Sequence, residues 1–195
     1  MFETILSGSN TYTFWGDGVS QGHSEAIRRL YGVKYAIQYT HPKIDAMNKV
    51  REGTLPKFKV RDKHTRECFV VLEEDNAESR KSIEKQIKTM PNYFSEYDTT
   101  VNYITEEEFQ NNHIKMPHGG FVICSANTGD NNKQTAELSL KLESNPEFTA
   151  CILIAYARAV YRLSTEKRYS AYTIYDIPLS YISNKNGADL IKKLL

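Results

Sequence analysis

The sequence predicts an α+β fold: a mixed, largely antiparallel sheet with helices on one face, followed by a long apolar helix toward the C-terminus. Segments of period-two alternation interleave irregularly with segments of helical period. A hairpin signal, Asn127-Thr128-Gly129-Asp130, separates the strand-like runs Phe121–Ser125 and Thr135–Leu142. From Asn145-Pro146 to about Leu163 the chain is apolar nearly all round, through Phe148, Ile152, Leu153, Ile154, Tyr156 and Val160, so this helix is expected to be buried on more than one side.

The elements follow in order. Thr11–Trp15 reads as an aromatic strand, and a glycine-containing loop from Gly16 to Gly22 leads into a short helix over about His23–Leu30. Val33, Tyr35, Ile37 and Tyr39 alternate with Lys34, Ala36, Gln38 and Thr40, the pattern of a half-buried strand. Pro42 is placed in the first turn of a helix whose stripe is Ile44, Met47 and Val50. In Thr65–Leu72, Arg66 shares a strand face with Cys68, Val70 and Leu72. Asp75-x-x-Glu78 resembles a capping box for a helix carrying Ile83 and Ile87 and ending before Pro91. Asp98–Ile104 is a strand, and Thr105-x-x-Glu108 caps a brief acidic helix. A short strand, Tyr172–Ile177, and a helix, Ala188–Leu195, close the chain.

Composition excludes several function classes. With 195 residues, 40% of them hydrophobic, the chain can fill one core. Its 25 Lys and Arg nearly cancel 24 Asp and Glu, so no net field draws nucleic acid or an anionic membrane. The start Met-Phe-Glu-Thr has no signal-peptide pattern, and the apolar run Cys151–Tyr161 is interrupted by Arg158 and too short to span a bilayer. A soluble, cytoplasmic protein is expected. Cys68, Cys124 and Cys151 form no C-x-x-C pair, which points to reduced thiols. His23, His41 and His64 lack metal-ligand spacing, so no metal is assigned.

Gly16-x-Gly18-x-x-x-Gly22, between a strand and a helix, comes close to a dinucleotide fingerprint. Gln21 stands where its third glycine belongs, and the following strand ends at Thr40-His41 without the acidic residue that would hold a ribose hydroxyl. On the residues alone, a nucleotide loop and a plain structural turn both stay open.

Four blocks are distinctive: TYTFWGDGVSQGHS from Thr11 to Ser24, HTRECFVV from His64 to Val71, TMPNYF from Thr89 to Phe94 and MPHGG from Met116 to Gly120. With LESNPEFTA from Leu142 to Ala150, they resemble meso-diaminopimelate dehydrogenases in order and spacing, from about Thr11 to the C-terminus. The resemblance implies an enzyme that uses NADP+ to deaminate oxidatively the D-centre of meso-2,6-diaminopimelate, giving L-2-amino-6-oxopimelate and ammonia. It also implies that residues 1–144 form a substrate-binding and dimerisation domain. Residues 145–195 would be a helical segment that packs back on a dinucleotide-binding domain. That Rossmann domain, a Trp-Asp-Pro-Gly segment and the acidic residues that hold the reacting amine are expected to lie outside this chain. No cofactor is therefore expected to bind it alone, and activity alone is not expected. Gly16–Gly22 would then be a substrate loop.

A dicarboxylate substrate needs an anchor far from its reacting carbon. Arg66 offers a bidentate guanidinium on an otherwise apolar strand face, and its own sequence context is equally consistent with an internal ion pair. The resemblance implies that Arg66, Thr40, His118 and Asn145 hold the distal L-centre, although Asn145 is also fully explained as a helix N-cap. It implies that Gln21 and Gly22 lie near the reacting D-centre, and that Phe14 and Trp15 form an apolar wall, whose plain alternative is ordinary core. Glu25 stands where relatives often have Asp. The expected partners are meso-diaminopimelate, a second copy in a homodimer and a separately encoded dinucleotide-binding chain. Two rival readings are a non-catalytic dimerisation or scaffold remnant of the enzyme and a self-contained nucleotide enzyme built on Gly16–Gly22.

Overall fold

A computed structural model describes residues 2–194, with side chains from Glu3 to Lys193, as two compact units divided between Ser144 and Asn145. The first unit runs α1 (Phe2–Ile5), β1 (Asn10–Trp15), β2 (Gly18–Val19), α2 (Gln21–Arg28), β3 (Val33–Pro42), α3 (Ile44–Arg51) and α4 (Val60–Lys63). It continues with β4 (His64–Leu72), α5 (Ala77–Thr89), β5 (Asp98–Tyr103), α6 (Glu106–Asn112), β6 (His118–Thr128) and β7 (Asn132–Leu142). The second unit holds α7 (Asn145–Thr165), α8 (Leu179–Ile182) and α9 (Gly187–Leu194).

The fold is mixed α+β, but its strands form two sheets where one was expected. β1-β6-β7 is antiparallel throughout; β2-β3-β4-β5 is antiparallel except for the parallel pair β4–β5. Helices also cover both faces of the four-stranded sheet. Cys68, Val70 and Leu72 of β4 pack with Ala36 of β3 against Ile27 of α2 and Ile83 and Ile87 of α5. On the opposite face Ile37 and Val71 meet Phe109 of α6. A third cluster joins Phe14 and Ile123 of the other sheet to Ala46, Met47 and Val50 of α3. With both faces covered, β3 is not half-buried: Ala36 and Gln38 are fully buried and Thr40 nearly so.

Local chemistry explains further differences. Pro42 ends β3 and stays outside α3, whose N-cap is Lys43. Asn76, not Asp75, caps α5 by accepting the Ser79 N–H at 2.9 Å, which frees Asp75 to pair with Arg80. Thr105 caps α6 as expected, accepting from the Glu108 N–H at 3.1 Å.

In the second unit, the segment expected as strand Tyr172–Ile177 is a turn, because the Asp176 carboxylate accepts both the Thr173 N–H and hydroxyl at 2.7 Å. The 21-residue helix α7 is not the buried, all-round apolar helix expected. Among its described residues only Ala159 and Leu163 are buried, while Arg158 and Arg162 donate to carbonyls of Ile182 and Tyr181 in α8. No described helix is long and apolar enough to cross a membrane. Leu195, the last residue of the expected terminal helix, lies outside the described residues.

Candidate functional site

Pairing sets the glycine loop's role. β2 runs antiparallel to β3, so α2 does not join parallel strands as a dinucleotide-binding unit requires. Gly16 sits at φ 121°, where a Cβ would lie 2.3 Å from the Thr40 carbonyl oxygen, and a Cβ on Gly18 would lie 2.8 Å from His118 Cα. These glycines let three backbone segments approach one another, with the Gly16 N–H donating to the Gly119 carbonyl and the Val19 N–H to that of Pro117. They form no phosphate cradle. The parallel pair β4–β5 is joined through α5, but the turn entering α5 is Glu73-Glu74-Asp75-Asn76, with three carboxylates and no glycine. Among the described residues, neither of these turns has the glycine-rich, parallel-strand setting that a dinucleotide's phosphates require.

A buried polar row crosses the four-stranded sheet beside its apolar core. Thr40 of β3 is in register with Arg66 of β4, and Arg66 with Thr99 of β5. Arg66 is 8% exposed, its Nη1 donates to Thr40 Oγ1, and its Cζ lies 4.0 Å from the centroid of the Tyr97 ring. Gln38 Nε2 donates to the same Thr40 oxygen at 3.2 Å and also to the Tyr39 carbonyl. Thr40 Oγ1 thus accepts twice, which leaves its hydroxyl hydrogen free to donate.

No carboxylate among the described residues forms an ion pair with Arg66. Glu67, next in sequence, belongs to the opposite face, where it meets His41 Nε2 at 3.2 Å and Asn102 Nδ2 at 3.0 Å. Asp98 is engaged by Lys43 at 2.8 Å and Arg61 at 3.5 Å. The internal ion pair that the sequence left open is therefore not formed among the described residues.

Neighbouring imidazoles do not balance the charge either. Burial, reinforced by the Arg66 charge, lowers the His23 pKa to about 4 against a pull upward from the Tyr93 carbonyl. Burial, then Lys63 and Arg66, lowers His64 to about 4 as well. Both are neutral at pH 7, and His64 Nε2 accepts the Trp15 N–H at 2.8 Å. Arg66 is thus a buried cation whose neighbouring imidazoles are neutral.

The other sequence-derived residues divide. Trp15, 53% exposed, stacks on His118 at 5.9 Å, and buried His118 Nδ1 has no hydrogen-bond partner. Gln21 begins α2 and donates to Met116 Sδ at 3.4 Å, which ties it to the segment before His118. Gly22 follows in the first turn of α2 with open space where a Cβ would stand. The Phe14 side chain is wholly buried against α3 and Phe58, in the position of a core residue. Asn145 begins α7 in the second unit. Gln38, Tyr97 and Thr99 join the buried row beside Thr40 and Arg66 without having been expected there. Gln38 is two residues from Thr40 on one strand and so legible by alternation, whereas the other two depend on β4–β5 pairing.

Comparison with known proteins gives a consistent result. Residues 1–144 match the family model for the diaminopimelic acid dehydrogenase C-terminal domain. A meso-diaminopimelate D-dehydrogenase from Lysinibacillus sphaericus is 57% identical over 193 residues, covering 99% of this chain and 59% of the relative. A mutant meso-diaminopimelate dehydrogenase from Clostridium tetani E88, crystallised with DAP, superposes with a TM-score of 0.90 at 51% identity, covering 99% of this chain and 59% of that one. An engineered D-amino acid dehydrogenase bound to NADP+ is similar at TM-score 0.81 and 39% identity, over 98% of this chain and 59% of that one. The chain thus spans about three-fifths of the length of these relatives (59%).

Proposed function

Because the chain belongs to the diaminopimelic acid dehydrogenase family, through that family's C-terminal domain, we propose that it is the substrate-binding and dimerisation part of a meso-diaminopimelate D-dehydrogenase. The reaction served is the NADP+-dependent oxidative deamination of the D-centre of meso-2,6-diaminopimelate to L-2-amino-6-oxopimelate and ammonia. The observation that carries this reading is Arg66, a buried guanidinium bonded to Thr40 with no carboxylate paired to it among the described residues. A distal substrate carboxylate supplies the missing charge, and His118 completes the grip on the L-centre. Gln21 and the Gly22 N–H serve the D-centre, with Trp15 as the apolar wall.

In this reading the chain contributes orientation. Holding the L-centre decides which carbon of a nearly symmetric substrate is presented for oxidation. NADP+ accepts the hydride when bound, and it is held by residues other than those described here. Residues 145–195 pack back on the dinucleotide-binding domain, and the exposed Leu153, Ile154 and Val160 of α7 suit such a contact. An NADP+ reduction assay with meso-diaminopimelate tests the assignment. The chain alone should give no reduction, and addition of the dinucleotide-binding half of a relative should restore it. Reduction by the chain alone, or none on mixing, contradicts the reading.

Dimerisation rests on the β6–β7 face carrying Val122, Leu138 and Leu140, which are in register or adjacent across the two strands and exposed by 38, 62 and 38%. An apolar patch on an edge strand suits a second copy of the same chain. Sedimentation should show a dimer that Leu138→Lys converts to monomer. A monomeric parent, or a variant that stays dimeric, would refute this surface.

A further inference from the structure

We infer that Thr99 is a further anchor of the anion held at Arg66, its hydroxyl donating to the same carboxylate as the Arg66 Nε–H. The inference rests on the reading that Arg66 receives a substrate carboxylate. Thr99 is the β5 partner of Arg66 in the parallel β4–β5 pairing, so the two share a sheet face. That face is fixed independently. Val101, two residues beyond Thr99, packs against the cluster containing Cys68, which is two residues beyond Arg66.

The hydrogen-bond inventory of the row is incomplete in a directed way. Thr40 Oγ1 accepts from Arg66 Nη1 and Gln38 Nε2, whereas Arg66 Nε and Thr99 Oγ1 are both buried without partners. With Nη1 committed to Thr40, the side-on edge of the guanidinium, which includes Nε, remains for a carboxylate. Tyr97, two residues before Thr99, covers one flat face of the guanidinium at 4.0 Å, which leaves its edge for an in-plane hydrogen bond. The nearest carboxylates in sequence, Glu67 and Asp98, are engaged elsewhere. One carboxylate from outside can accept from Arg66 Nε and Thr99 Oγ1 together.

Calorimetric titration of the full chain tests this with Thr99→Val, which keeps shape without the hydroxyl, and Thr99→Ser, which keeps the hydroxyl. Thr99→Ala serves as a second hydroxyl-free variant should the valine disturb folding. Loss of a hydrogen bond to a charged group should weaken meso-diaminopimelate binding about tenfold in the valine and alanine variants, with near-parental affinity in the serine variant. D-lysine, which is meso-diaminopimelate without the L-centre carboxylate, should bind all of them alike. Parental affinity of Thr99→Val or Thr99→Ala for meso-diaminopimelate, or equal weakening for both ligands, overturns the role of Thr99. If Arg66→Met also binds as the parent does, the underlying carboxylate reading fails; if Arg66→Met loses binding, only the role of Thr99 fails.

Discussion

Arg66→Met is expected to abolish measurable meso-diaminopimelate binding while leaving the fold intact and no less stable. Two opposite effects of one charge lead to this result. Arg66 is 8% exposed with no ion-pair partner among the described residues, so its charge is held against a desolvation penalty. Methionine is similar in reach, packs under the Tyr97 ring and removes that penalty. In the proposed function, the same guanidinium answers a substrate carboxylate. Removing one member of a buried, hydrogen-bonded charge pair costs about 2–5 kcal/mol, which weakens binding by about 30-fold or more. Calorimetry and thermal unfolding of one variant read both effects. A large loss of stability would mean that an internal partner satisfies Arg66.

The second large effect is expected at Phe14. Its ring is fully buried among Ala46, Met47, Val50 and Ile123, with the Phe58 ring set edge-on at 6.1 Å. Phe14→Ala opens a cavity between α3 and the three-stranded sheet and should cost about 3–5 kcal/mol in urea unfolding. The milder Phe14→Leu should keep parental affinity for meso-diaminopimelate, since the side chain offers no surface to a ligand. Loss of affinity in the leucine variant at near-parental stability would return Phe14 to the ligand wall.

Most strands were legible in the sequence, because alternation in Val33–Thr40 and Thr65–Leu72 reports local backbone period directly. The face shared by Arg66, Cys68, Val70 and Leu72 followed from the same period. Which strands pair did not, since pairing joins residues far apart in sequence: β1 and β6 form a separate sheet. Helix cover on both sheet faces then buried Gln38 and Thr40, which alternation alone placed on a polar side. The turn at 172–177 was hidden because Asp176 overrides the strand preference of Tyr172, Ile174 and Ile177 through side-chain bonds.

The candidate site was legible in its residue types and less so in its wiring. The resemblance singled out Thr40 and Arg66, which the structure brings into contact. Arg66's lack of an internal carboxylate emerged only when Glu67 and Asp98 were found engaged elsewhere. Thr99 could not have been found from spacing, because nothing in residues 66–99 states the β4–β5 register.

In the proposed function, this chain grips the distal, non-reacting end of the substrate through Arg66. Comparing calorimetric affinities of meso-diaminopimelate and D-lysine in the parent chain and in Arg66→Met tests it most directly. The parent should strongly prefer meso-diaminopimelate, and that preference should vanish in the variant. Equal parental binding of both ligands, or a preference that survives the loss of Arg66, would contradict it.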